Sequence, residues 1–510
     1  MAVSFRLKKR NVLPNWRNFN LTVKQAEYES CPNNIFGTNI LKLSIEDYIE
    51  AWKANNSVYI ASDMLSAAFV NGFCDDENVK EAAKYIIKNK NFVPTSSYKM
   101  AMIILKDKSD ALEKEQMNNN GLTIGENINI FINNCKNSIR TYPYNPVKYV
   151  DLSRAYSIIG KEDKAKKYMQ IALSLSPNNR FIMRSASRLF AHYDMVNYIH
   201  KIISNSDIVK TDPWVMATEI ALSTLLNKTS ALIKLGYYII NSNNYNAYNL
   251  SELSASIGTV ELLNGKYNKA KKTIKKALIS PNDNSLAQIE WINTNYHLLP
   301  AFDPDNYLIK YNYEAKTVHC YSNEKYKEAL EYSIKWFEDL PFSVSPILFG
   351  QFIAYYYLND RVKAIELLKM GLKAHPRDAS IHNNIAYYLS INNQISEAEN
   401  YLKNVDKYCE ISQHNAICLK ATRGLIAFRK NLIDVGKKNY EESIEEAKKD
   451  NDVELIWLAR LNYARELILS KSESFEKIAK ILDVPNNTTY RYINNLKKEV
   501  LGLYKRTYNY

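Results

Sequence analysis

The reading of the chain turns on NPVKYVDLSRAYSIIGKEDKAKKYMQIALSLSPNN, residues 145–179. Two apolar runs at helical spacing are separated by Gly160 and closed by Pro177. Glycine takes the left-handed backbone that ends a helix, and proline cannot continue one. The stretch therefore encodes two short helices folded back on each other. Small residues at Ser153, Ala165 and Ala172 let the two helices approach closely. Large residues at Tyr149, Leu152 and Met169 fill the space to the next pair. One such pair cannot bury its own apolar face, so neighbours must stack on it.

The neighbours are present. The small residue of the second helix recurs at Ala270, Ala329, Ala364, Ala398 and Gly436. The last three steps are 35, 34 and 38 residues. From Ala165 to Ala270 is 105 residues, three steps of 35, so two degenerate units are expected between them. RFIMRSASRLFAH and DPWVMATEIALSTLL read as their first helices. The step from 270 to 329 is 59, which is not a multiple. The excess predicts an irregular insert, with SLAQIEWINTNYHLL as an extra helix and PAFDPDN as a loop turned by Asp303 and Asp305.

This pattern resembles the tetratricopeptide repeat, a helix–turn–helix unit of about 34 residues. The resemblance spans roughly residues 145–450 and rests on one complete motif and several partial ones. It implies an all-α, right-handed superhelical solenoid whose first helices line a concave groove that takes a protein or peptide partner. By repeat register Val150, Arg154, Ser157, Tyr356, Ser380, Asn383 and Tyr387 are the candidate groove residues. Members that grip C-terminal carboxylates use Lys and Asn in a clamp. Val150 and Arg154 stand at the comparable places, so that clamp is not expected here.

The chain divides into residues 1–140, a helical region with degenerate repeats as one reading; 141–470, the solenoid, irregular near 284–306; and 471–510, a small C-terminal helical module. In the first region Ser44 is a plausible cap, Gly72 a helix stop and EQMNNNGLTIGEN a boundary loop. Arg6, Lys8, Lys9, Arg10 and Arg17 lie in the first 20 residues with no acid. That composition suits a solvated arm, with a partner-binding arm as the alternative. The module contains IAKILDVPNNTTYRYINNLKKEV, which resembles a bacterial helix-turn-helix. Ala479 takes the small position, Thr488 and Thr489 open the second helix, and Thr489, Ile493, Leu496 and Val500 form its apolar face. Asn487, Tyr490, Arg491, Asn494 and Lys498 are then the exposed candidates for bases and phosphates. The competing reading is a hairpin that shields the last apolar face of the solenoid.

Composition narrows the function. The net charge of +13 permits nucleic acid or acidic protein surfaces as partners and demonstrates neither. Six dispersed cysteines without CxxC suit a reducing compartment, and no apolar run is long enough for a membrane span, so a cytoplasmic protein is expected. No phosphate loop, dinucleotide fingerprint, HExxH or GxSxG occurs. Cys409, His414 and Cys418 lack a fourth ligand, and His319-Cys320 reads as packing, so neither a metal nor another cofactor is expected. The expectation is a non-enzymatic scaffold or adaptor. The alternatives are a solenoid regulator that reads DNA under partner control, and an accessory subunit of an enzyme encoded elsewhere.

Overall fold

The computed structural model describes residues 10–17, 45–71, 74–105, 126–242, 244–299, 302–307, 309, 311–485, 488 and 490–508. Ser44, Gly72 and nearly all of the EQMNNNGLTIGEN loop lie outside them. Helices α1 (Ile45–Ala54), α2 (Val58–Asn71), α3 (Glu77–Lys88) and α4 (Thr95–Ile104) pack around a core that includes Trp52, Met64, Leu65 and Ile86. Asp76 caps α3 by accepting from the Asn78 and Val79 amides.

Helix α5 (Glu126–Thr141) leads into the repeats. Inner and outer helices then alternate: α6 (Pro146–Ile158) with α7 (Glu162–Leu175), α8 (Arg180–His192) with α9 (Val196–Ser204), α10 (Pro213–Leu225) with α11 (Ile233–Asn241), and α12 (Ala247–Leu263) with α13 (Tyr267–Ala277). Helix α14 (Asp283–Tyr296) is an inner helix followed by a loop through a short 3-10 turn, Pro304–Asn306, in which Asp303 accepts from the Asp305 amide. Alternation resumes with α15 (Tyr313–Ser322) and α16 (Tyr326–Asp339), α17 (Ser345–Tyr356) and α18 (Arg361–Ala374), α19 (Ala379–Ile391) and α20 (Ile395–Tyr408), α21 (Gln413–Arg429) and α22 (Ile433–Lys449), and α23 (Val453–Ser470) with α24 (Phe475–Ile481). Helix α25 (Arg491–Tyr508) follows. No strand occurs among the described residues, and none of their helices is long and apolar enough to cross a membrane. The chain is an all-α solenoid of tetratricopeptide-like helix pairs.

Local chemistry sets the repeat. Inner helices open on side-chain caps at Asn145, Asn179, Asp212, Asn246, Asn282, Asp378, Ser412 and Asp452, each accepting from an amide of the first turn. The turn into the outer helix passes through left-handed backbone at Gly160, Asp194, Asn227, Gly265, Asn359, Asn393 and Asn431. Gly, Asn and Asp tolerate that conformation best. Ala165, Ala270, Ala329, Ala364 and Ala398 are fully buried. Gly436 stands in the same slot because a Cβ there would lie 2.5 Å from Phe428. Ser153, at the first-helix small position, donates to the Ala165 carbonyl at 2.7 Å and ties the pair together.

The superhelix returns on itself. Helix α6 touches α18, and a Cβ on Gly160 would come within 2.7 Å of Pro376. Gly160 has φ +67, so a side chain there is excluded twice. Gly160→Val is expected to cost about 2–3 kcal/mol, from backbone strain and overpacking together, read as a drop in the urea midpoint. At the same junction the His192 ring lies 5.1 Å from His375 and 6.0 Å from Phe342. Burial, then the His375 and Arg188 charges, push His192 down to about 3, and burial pushes His375 down to about 4. Both pKa values are below the unfolded value of about 6.5, so the two rings must be neutral in the native state. Stability is then complete above about pH 6.5 and falls as pH drops toward 4, with a limiting slope of about 1.4 kcal/mol per pH unit for each ring. Urea midpoints of wild type and His192→Gln at pH 7 and pH 5 check this: the acid shift should be smaller in the variant.

Candidate functional site: the concave groove and its occupant

Residues 10–17, RNVLPNWR, run along the inner helices without forming a helix, with the Leu13 amide donating to the Asn11 carbonyl at 2.7 Å. Burial alternates, with Val12, Pro14 and Trp16 inside and Asn11, Leu13 and Asn15 partly open, the period of two of an extended chain. Val12 joins Ala255 and Leu262 of α12 and Trp291 of α14 in one core cluster. Trp16 is 1% exposed, and its ring lies 5.2 Å from Phe342 in the loop after α16. The solvated-arm expectation fails for this segment. An apolar face repeating every second residue had been hidden behind its basic composition.

Both arginines of the segment are ion-paired. Arg10 Nε donates to Glu314 of α15 at 2.7 Å, and its Nη1 donates to Gln288 of α14 at 2.9 Å. Gln288 in turn donates to the Arg10 carbonyl at 3.0 Å. Arg17 donates to Asp339 at 2.7 Å and to Asp283 at 2.7 Å, and its guanidinium lies 4.8 Å from the Tyr311 ring centroid. Asn15 donates to the same Asp283 carboxylate at 2.7 Å. Burial alone would lower the Arg17 pKa, but Asp283 and Asp339 outweigh it and raise it.

Arg154 on α6 closes the site from the first repeat. Its Nε donates to the Trp16 carbonyl at 3.0 Å and its Nη2 to the Asp339 carbonyl at 3.1 Å. Burial pushes its pKa down to about 10, and Asp339 and Asp151 hold it against further loss. A single guanidinium thus links the first repeat, the segment and the last residue of α16, 185 residues away. Val150 and Ser157, also expected to line the groove, are fully buried. Ser157 donates to the Ser153 carbonyl of its own helix at 3.2 Å.

In the C-terminal half the inner faces pack on one another. Tyr387 is fully buried and donates to Asn462 of α23 at 2.7 Å. Asn383 is fully buried and accepts from Thr422 of α21 at 2.8 Å. Ser380 donates to Asn415 at 3.1 Å. Tyr356 packs against Phe352, Tyr355 and Tyr492. An open recognition surface is therefore not what these four residues present here. Tight curvature brings inner helices two repeats apart into contact, and tyrosines fill the gap. Of the seven candidates, Arg154 bonds the occupant directly.

The C-terminal stretch covers the end of the solenoid. Ile478, Leu482, Val484, Ile493, Leu496 and Val500 are buried in the main core. Ala479 is exposed, so it does not take the small packing position expected of it. The last helix begins at Arg491 rather than at Thr488, because Thr488 and Asn494 bond each other across its start at 3.0 Å. Arg491, Asn494 and Lys498 fall at i, i+3 and i+7 of α25, on one side of that helix. Tyr490 is half-buried, its ring centroid 6.2 Å from Trp457 of α23, and Asn494 is tied to Thr488. Arg491 is exposed and ion-paired with Glu324, Lys498 is exposed, and Asn487 lies outside the described residues. Between Arg491 and Asn494, Tyr492 turns inward to Glu454 and Phe352.

Sequence reasoning missed Asp283, Gln288, Glu314, Asp339 and Phe342. Three acids placed on or beside inner helices, opposite an acid-free basic segment, were the signal available. No family model matches the chain, and no curated protein matches it. Solved structures similar to it include "Crystal structure of APC/C hetero-tetramer Cut9-Hcn1", at 12% identity and a TM-score of 0.47, covering 90% of this chain and 93% of that one. "Crystal Structure of the Yeast Tom70" is similar at 14% identity and a TM-score of 0.32, covering 84% and 95%. At these scores neither likeness bears on function, which rests on the groove itself.

Proposed function

We propose that this protein is a non-enzymatic scaffold whose concave groove docks an extended segment of a protein partner. One observation carries the reading: the inner helices already hold an extended segment, residues 10–17, by side chains from repeats far apart in sequence. Helix-pair solenoids use such concave surfaces for binding. The DNA-reading alternative has weaker support, since Tyr490 and Asn494 are engaged by the protein itself.

The test uses the full chain carrying Trp16→Ala, which loosens the internal occupant. A phage library of random 16-residue peptides is panned on it, and binders are retested on a chain that also carries Glu314→Lys and Asp339→Lys. Binders lost on the second chain sustain the reading. If none depends on the groove substitutions, the groove is not a docking site. Circular dichroism confirms that both chains are folded, and Arg17→Glu replaces Trp16→Ala if that variant is not.

A further inference from the structure

Resting on that docking reading, we infer that the groove selects one chemical class of partner: an extended segment with two cationic side chains flanking aliphatic and aromatic anchors. Residues 10–17 are then an internal competitor that such a partner displaces. The groove's own chemistry defines the class. Asp283, Asp339 and Glu314 are carboxylates held largely out of solvent, with side chains 14%, 8% and 19% exposed. With residues 10–17 removed, Asp283 and Asp339 lose the guanidinium they share and Glu314 loses Arg10, a cost in lost charge-assisted hydrogen bonds. An acidic or neutral ligand leaves that cost in place. The Phe342 wall takes an aromatic ring, and the Ala255, Leu262 and Trp291 wall takes an aliphatic one.

Three features mark residues 10–17 as a held ligand rather than an integral element. Their main chain makes no backbone pairing with a helix, among the described residues. The carbonyls of Arg10 and Trp16 are instead held by the Gln288 and Arg154 side chains. The fit is incomplete: Trp16 Nε1 and Asn284 Nδ2 are buried without a hydrogen-bond partner. The groove is also roomier than its occupant. A cavity of about 480 Å³ opens beside Arg10 and Asn11, walled by Thr224, Ser230, Asn264 and Trp291. A partner with a longer or bulkier side chain at the Arg10 end has space to enter there. Displacement needs no unfolding of the helix pairs, because each repeat packs on its neighbours without the segment.

A fluorescein-labelled peptide, KRNVLPNWRN, copied from residues 9–18, tests this by anisotropy against the full chain. Tethering gives the internal copy a large effective concentration, so wild type should bind the peptide weakly. The Trp16→Ala chain and, separately, the Arg17→Glu chain should bind it at least tenfold more tightly than wild type. Adding Asp339→Lys should abolish that gain, and a peptide with Trp changed to Ala and both Arg to Glu should not bind. Equal, weak binding to wild type and to both folded variants would overturn the inference. The panned library separates the two levels. Groove-dependent binders rich in Arg or Lys with Trp, Phe or Val support the stated class. Groove-dependent binders of another composition overturn the class and leave the docking reading standing. An absence of groove-dependent binders removes the docking reading itself. Dimers that form only through exchange of the 10–17 segment between copies, with no peptide selected, overturn the inference in favour of self-association.

Discussion

Trp16→Ala is expected to lower the unfolding free energy by about 3 kcal/mol, and Trp16→Ala with Arg17→Met by hardly more. Trp16 is buried against Phe342, and its carbonyl holds Arg154. Truncating a buried tryptophan ordinarily costs about 3–5 kcal/mol, through lost transfer energy and the cavity left behind. Here the cost has a ceiling. Once the docking energy of residues 10–17 is lost, the segment leaves, the groove fills with water, and later substitutions in the segment remove contacts that no longer exist. Arg17 makes two charge-assisted contacts, to Asp283 and Asp339, and would by itself cost about 1.5–3 kcal/mol. In a segment that stays docked, the two losses combine. In a segment that undocks, the double variant stops at the ceiling. Urea unfolding of wild type, both single variants and the double variant gives the coupling directly. Additive costs would show that the segment is an integral part of the fold, and the exchange argument would fall with it.

The helix pairs were legible because their chemistry is local. A glycine or asparagine turn, a capping Asn or Asp and a buried alanine recur within each repeat and need no distant information. The two degenerate units around α8 and α10 lacked the alanine but kept the Asp194 and Asn227 turns, at φ 56 and φ 54. Curvature was not legible. How far the superhelix closes depends on small rotations summed over many repeats, so that Tyr387 meets Asn462 and Gly160 meets Pro376 only in the finished fold. The register placed Arg154, Asn383 and Tyr387 on inner faces but could not say whether those faces look onto solvent or onto each other. The occupant was missed for a related reason. RNVLPNWR has too few residues for a periodic signal, and its charge suggested water until Glu314, Asp283 and Asp339 were brought around it.

The inner face of the C-terminal half leads to a second large effect: Glu466→Gln is expected to cost about 3–5 kcal/mol. Glu466 is 2% exposed and accepts from Arg465 Nε at 2.9 Å, while Arg429 Nε lies 3.1 Å away. Arg465 also reaches the Tyr387 hydroxyl at 3.4 Å, and that hydroxyl donates to Asn462. One carboxylate therefore balances two guanidinium groups at the point where α19, α21 and α23 converge. Arg429 has a side chain 20% exposed and can turn to water. Arg465, at 8% exposure, has no such route. Removing the carboxylate charge leaves Arg465 buried and uncompensated, which costs more than the net worth of the pair it breaks. The asymmetry gives the control. Arg465→Met together with Glu466→Leu removes both charges in similar volume and should recover most of the loss. The exposed Arg491–Glu324 pair gives the opposite limit, and Arg491→Ala should leave the urea midpoint unchanged within measurement. If Glu466→Gln is as mild as Arg491→Ala, the network is solvated, the inner faces of the C-terminal repeats are open to water, and Tyr387 and Asn383 return as candidates for the docking surface.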